Sequence, residues 1–216
     1  MSNRGIPCLR RRGALFVVSA PSGTGKTSLC QEMVSRLPCV RHSVSYTTRP
    51  ARAAEVNGRD YHFVEHAAFK SMIQQGAFLE WAEVYGQFYG TPVAPLRQWR
   101  DEGIDVMLDI DTQGAAQIRA HEPDAVLIYL LPPSWDVLRE RLEQRGSDPP
   151  REIAKRLAKA KEEVKHYRYY KYVIINDDFK SSAGQLEAII VAERCRTAML
   201  DLSGLEMMLS QKEESC

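Results

Sequence analysis

The sequence predicts an α/β fold: a five-stranded, mainly parallel sheet flanked by helices, carrying an inserted small α+β subdomain and a lid. Three observations predict it. Short apolar runs bounded by turn residues recur at 14–19, 104–110, 125–131 and 173–175, with 40–45 as a fifth candidate. Strands buried on both faces read in this near-continuous apolar way. Helical patterns lie between them at 27–37, 112–121, 134–145, 150–170 and 179–197, and strand–helix alternation implies parallel strands joined by crossover helices. Residues 46–97 break that rhythm with short strand signals at 61–64, 78–85 and 88–91 around one small helix at 66–74. They read as an antiparallel insertion over the sheet edge.

The first strand–helix unit carries the most specific local signal. In residues 15–29, LFVVSAPSGTGKTSL, an apolar strand runs into a glycine-containing turn, then Lys26-Thr27 and a helix. That order matches a phosphate-binding loop. Gly23 and Gly25 let successive N–H groups point inward at phosphate oxygens, and the helix adds its positive end at the same place. Lys26 would reach the β- and γ-phosphates and the Thr27 hydroxyl would hold Mg²⁺. The first glycine of the full pattern is Ala20 here; glycine is needed only where φ is positive or a ligand lies against Cα, so Ala20 weakens the match without breaking it.

Composition narrows the class. The 216 residues fit one α/β domain with small insertions. A net charge of +1 provides no global field for nucleic acid or an anionic membrane, so anion recognition has to be local. Cys8, Cys30, Cys39, Cys195 and Cys216 form no C-x-x-C pair, which argues against a disulfide framework or a zinc site and for a reducing cytoplasm. The five histidines show no ligand spacing and default to surface or partly buried roles. Residues 1–12 are basic, and a charged stretch before a short apolar run imitates a secretion signal. Cleavage after Ala20 would remove the strand the loop needs, so a disordered basic tail is expected. No apolar run reaches transmembrane length.

The insertion holds a second constellation. Residues 43–61, SVSYTTRPARAAEVNGRDY, place Arg49 and Arg52 three apart among hydroxyls and end on Tyr61. Arginine forks suit a doubly charged phosphate monoester, and tyrosine hydroxyls complete its coordination. Glu80 and Tyr89-Gly90-Thr91 follow. A guanine edge presents two donors and one acceptor, which Glu80 with Thr91 or Ser45 could read. Farther on, Asp109 and Asp111 end a buried strand at the ligand edge, where capping the next helix is the alternative role.

These stretches together resemble guanylate kinases, from about residue 14 to 196. The resemblance rests on SAPSGTGKTS, SVSYTTRPAR, EVNGRDYHFV, FLEWAEVYGQFYGTP, LDIDTQGA, LPPS, RLEQRG, AKRL and IINDD. Bacterial members commonly carry Ala where the loop's first glycine would be. The resemblance implies a P-loop kinase that transfers the ATP γ-phosphoryl group to GMP, and to dGMP, with Mg²⁺. It puts the GMP phosphate on Ser45, Arg49, Arg52, Tyr61 and Tyr89, and guanine on Glu80 and Thr91 beside Gly90. Asp111 completes the nucleotide site, and Asp109 is counted with it among the GMP-binding residues; its own place at the end of the strand suits it to orient the metal–water shell or an arginine. ATP falls to Ala20, Pro21, Ser22, Gly23, Thr24, Gly25, Lys26, Thr27 and Ser28, with Asn176 near the adenine. Lys26, Arg52, Arg145 and Arg156 would surround the transferring group. Family members often have a polar, acidic run where Ser147-Asp148-Pro149-Pro150 stands.

The expected organisation is a kinase-like domain over 14–200, with core segments 14–45, 98–144 and 157–200. A GMP-binding subdomain occupies 46–97 and a lid about 145–156, with tails at 1–13 and 201–216. A cytoplasmic monomer or homodimer with nucleotide substrates and neither nucleic-acid nor membrane partners is expected. Two alternatives fit less well. Interaction modules of this family degrade the loop, which is intact here, and switch GTPases read guanine through N-K-x-D, yet no Asn-Lys pair occurs.

Overall fold

The structure is a computed structural model that describes residues 11–144 and 149–203. In chain order its strands are β1 (Leu15–Ser19), β2 (Val40–His42), β3 (Tyr46–Thr47), β4 (His62–Phe63), β5 (Phe78–Val84), β6 (Gln87–Pro92), β7 (Asp105–Asp109), β8 (Val126–Leu131) and β9 (Tyr172–Ile175). The helices are α1 (Lys26–Arg36), α2 (His66–Gln74), α3 (Val93–Asp101), α4 (Thr112–His121), α5 (Trp135–Gln144), α6 (Pro150–Glu163) and α7 (Phe179–Arg194).

Five strands pair in the order β2-β7-β1-β8-β9, every pair parallel. Successive side chains of a strand point to opposite faces, and β1 is buried throughout. On one face Phe16, Val18, Met107 and Ile128 pack with Leu29 and Met33 of α1 and Leu186 and Ile190 of α7. On the other, Leu15, Val17, Val106 and Leu108 meet Leu96 of α3 and Ala115 and Ile118 of α4. Both sides of the apolar pattern are thus used, and the carboxyl ends of β1 and β7 open onto one edge.

The insertion folds as a second sheet, β4-β3-β6-β5. It is mixed rather than antiparallel: β3 pairs antiparallel with β6 but parallel with β4. Residues 48–61 supply the connection of about a dozen residues that a parallel pair requires. Phe69 of α2 stacks on Phe78 and Phe88 to form the insertion's core. Helix α3 has no counterpart in the sequence-based pattern; Pro92 and Pro95 both sit at its start, where a missing N–H costs little. It begins inside the range expected for the insertion, yet Leu96 is packed into the main core.

Arg11, Arg12 and Gly13, which the expected disordered tail included, are among the described residues, with Arg11 and Gly13 bonded to the core, a correction to that expectation; the rest of that tail lies outside the described residues. Asp105, fully buried, accepts hydrogen bonds from the Arg11 guanidinium, the Ala14 N–H and Arg194 Nε. A buried carboxylate needs such partners, and the Arg11 backbone is itself fixed by an isolated antiparallel bridge to Leu200. Among the described residues no helix is long and apolar enough to cross a membrane.

Candidate active site

The glycine turn closes as the sequence demands. Gly23 and Gly25 have φ of 91° and 93°, the left-handed region that favours glycine. Ala20 is not among the positive-φ residues, so alanine is no obstacle at that position. Gly25 caps α1, and Thr24 Oγ1 donates to Pro21 O at 2.9 Å to hold the turn. The Lys26 ammonium crosses to the end of β7 and donates to Ile110 O at 2.9 Å.

Next to it, Thr27 Oγ1 donates to Asp109 Oδ2 at 2.7 Å, and His42 Nε2 stands 3.3 Å from Asp109 Oδ1. Burial would push the Asp109 carboxyl up; His42, Lys26 and Thr27 outweigh it and hold the acid at about 2. A hydroxyl beside a firmly ionised carboxylate at a helix N-terminus suits a hydrated Mg²⁺ shared with phosphates. Among the described residues no group of three or more His, Cys, Asp or Glu could cage a metal unaided.

The insertion's residues face the same space. Arg49 Nη2 pairs with Glu55 Oε1 at 2.8 Å, and Glu55 Oε2 accepts the Arg52 N–H at 2.8 Å. Burial disfavours the Glu55 charge, but Arg49 and the Arg52 N–H prevail and hold its pKa below the usual range. The Arg49 guanidinium also lies over the Tyr61 ring, and Tyr61 meets Tyr89 edge-on. Glu80, on β5, is almost fully buried. Its Oε1 accepts the Thr91 hydroxyl at 2.5 Å. Burial, with Asp111 adding to it against Thr91 and Lys26, raises the Glu80 carboxyl to about 7.

A single cavity of about 680 Å³ joins the two groups. Its wall includes the loop from Ala20 to Ser28, then Ser45, Arg49, Arg52, Tyr61, Glu80, Tyr89, Asp109, Asp111 and Arg156. Arg156 Nη1 donates to Ser22 Oγ at 2.9 Å, so α6 already touches the loop. Asp111 lines the cavity and also fills the capping role, its Oδ1 accepting from Gly114 N at 2.9 Å.

Three expected residues do not line this cavity. Thr91 is fully buried, with its hydroxyl spent on Glu80 rather than open to a ligand. Gly90 backs onto Phe69 and Phe78. Asn176 is buried behind the loop and donates to Thr24 O at 2.6 Å, bracing the turn from below. Arg145 lies outside the described residues.

Residues 12–193 match the guanylate kinase family. The chain belongs to that family. It is 48% identical over 189 residues to the guanylate kinase of Geobacter metallireducens, covering 88% of this chain and 93% of the relative. With the guanylate kinase of Symbiobacterium thermophilum the identity is 43% over 200 residues, covering 93% and 95%. Among solved structures, the guanylate kinase from Anaplasma phagocytophilum superimposes with a TM-score of 0.76 at 35% identity, covering 93% of this chain and 95% of that one.

Within this guanylate kinase fold, several cavity residues escape a reading by sequence motif. His42 has no ligand spacing; the β2–β7 register, pairing His42 with Met107, brings it beside Asp109. Glu55, Arg141, Lys159 and Glu163 also line the wall. Lys159 and Glu163 sit in a charge-dense helix whose other charges are mostly exposed, so composition alone gave them no distinction. Arg141 stands one helical turn before Arg145 in RLEQRG, a signal available in the sequence.

Proposed function

We propose that the cavity binds ATP and GMP together and that the chain catalyses ATP + GMP ⇌ ADP + GDP. The observation that carries the reading is the joining of the phosphate loop and the Arg49/Glu80 group in one cavity. The loop N–H groups and Lys26 would hold the ATP phosphates. Arg49, Arg52, Ser45, Tyr61 and Tyr89 would take the GMP phosphate, and Glu80 the two donors of guanine. dGMP fits the same arrangement, since none of these assignments uses the 2′-hydroxyl.

In-line phosphoryl transfer asks the protein mainly for positioning and charge neutralisation. An oxygen of the GMP phosphate, largely dianionic at neutral pH, attacks the γ-phosphorus without an obligatory general base. Lys26, Arg52, Arg156 and Arg145 spread the growing negative charge, Arg156 from its present contact with Ser22. Thr27 and Asp109 would hold Mg²⁺, which when bound offsets phosphate charge. Arginines that converge only when both nucleotides are present would also limit futile ATP hydrolysis. The activity belongs to purine nucleotide metabolism and GMP recycling, in a cytoplasmic monomer or homodimer without nucleic-acid or membrane partners.

The test is a nucleotide screen: ATP and Mg²⁺ with GMP, dGMP, AMP, UMP or CMP, scored for ADP. ADP formation with GMP and dGMP is expected. Equal turnover of AMP would contradict the assignment of Glu80.

A further inference from the structure

Glu80 is held in place from three directions. Its Oε1 is bonded to the buried Thr91 hydroxyl at 2.5 Å. The next residue along β5, Trp81, has both backbone groups paired with one amide: its N–H donates to Gln117 Oε1 at 3.2 Å and its carbonyl accepts from Gln117 Nε2 at 2.6 Å. The third direction is the first turn of α4. There a Cβ placed on Gly114 would stand 2.2 Å from Glu80 Oε2 and 2.9 Å from its carboxyl carbon. The Thr91 bond to Oε1, the burial of Glu80 and the Gln117 clamp on the neighbouring Trp81 backbone all resist a withdrawal of the carboxylate. Gly114 is the third residue after the Asp111 cap, and its N–H is already spent on that cap.

We infer that Gly114 is a specificity-determining residue: its missing side chain is the seat that lets the Glu80 carboxylate lie against α4 in the orientation that reads guanine. Resting on the assignment of guanine to Glu80, it extends that site to a residue that touches no nucleotide. Alanine is the better helix former and Gly114 has no positive φ, so backbone conformation supplies no reason for glycine here. The approach of the carboxylate does. Ala at 114 pushes Glu80 off its seat and leaves guanine donors poorly paired.

The experiment compares Gly114→Ala, Glu80→Ala, Glu80→Asp and the double variant Gly114→Ala/Glu80→Asp, in steady-state assays with GMP and AMP as acceptors. For Gly114→Ala the KM for GMP should rise about ten-fold or more and GMP preference over AMP should fall. The KM for ATP and kcat at saturating GMP should change by less than about three-fold. Shortening the acid by one methylene in the double variant should recover part of the lost preference. A merely structural glycine would change stability but not base preference, and Glu80→Asp would not rescue it. A folded Gly114→Ala enzyme with wild-type KM and preference overturns the seat alone if Glu80→Ala has lost preference. Unchanged preference in Glu80→Ala overturns the seat and the guanine assignment together. If Gly114→Ala does not fold, return of a cooperative thermal transition on adding Glu80→Asp supports the clash, and no return overturns it.

Discussion

On the proposed assignment Glu80 has to be ionised to accept the two guanine donors, and burial pushes its carboxyl up to about 7. The sign of the pH effect follows. Below pH 7 the site holds a proton that guanine must expel, so GMP binds more weakly; above it the carboxylate is ready. The KM for GMP should therefore fall as pH rises through about 7. The GMP phosphate titrates near pH 6 on its own account, so the control is Glu80→Gln, which should abolish only the transition near 7. For stability the raised pKa works in the opposite sense. Its contribution is full below the ordinary carboxylate range and is lost as pH rises through about 7. Thr91→Val removes the hydroxyl that favours the ionised acid, and should move the KM transition to higher pH. In the same proposal Lys26 would serve the phosphate chemistry: Lys26→Ala should cut kcat roughly 100-fold or more while leaving GMP affinity near wild type, measured by single-turnover kinetics and GMP titration.

Helix α4 does two jobs at once. Ala115 and Ile118 anchor it in the main core, while Gln117 fastens the exposed edge of β5 through both backbone groups of Trp81. Gln113 Nε2 donates to Glu83 O at 3.5 Å and Leu79 packs into the main core, so α4 and the core register the strand that carries Glu80 through several side chains. Gln117→Ala should raise the KM for GMP several-fold without changing that for ATP, with a stability loss of about 1 kcal/mol, read from urea midpoints. At this scale the sequence was legible where period and punctuation agree: Thr112–His121 and His66–Gln74 begin and end as expected. It was silent on α3, which starts between Pro92 and Pro95, and it misled where a long connection turned β4 parallel to β3. The motif residues of the loop and the insertion were readable because each is local. His42 beside Asp109, Gly114 beneath Glu80 and Asn176 beneath the loop were not, because strand register and helix packing bring them together from distant segments.

The whole molecule is divided between a rigid end and a working end. At the amino ends of the strands, Asp105 ties Arg11, β7 and the end of α7 into one ionic knot, and Arg194 reaches Pro38 O as well. Removing the acid leaves two arginines facing each other in a partly buried place. Asp105→Ala should cost about 3–5 kcal/mol in urea unfolding, with kcat and both KM values unchanged in the fraction that stays folded. At the carboxyl ends, the proposed function gives the loop the phosphate chemistry and the insertion the choice of acceptor, with α4 and β7 between them. The ratio of kcat/KM for GMP over AMP, measured in the wild type and in Glu80→Ala, reads that division of labour. The ratio should collapse toward unity in Glu80→Ala while the KM for ATP stays unchanged. A ratio equal to that of the wild type would contradict it.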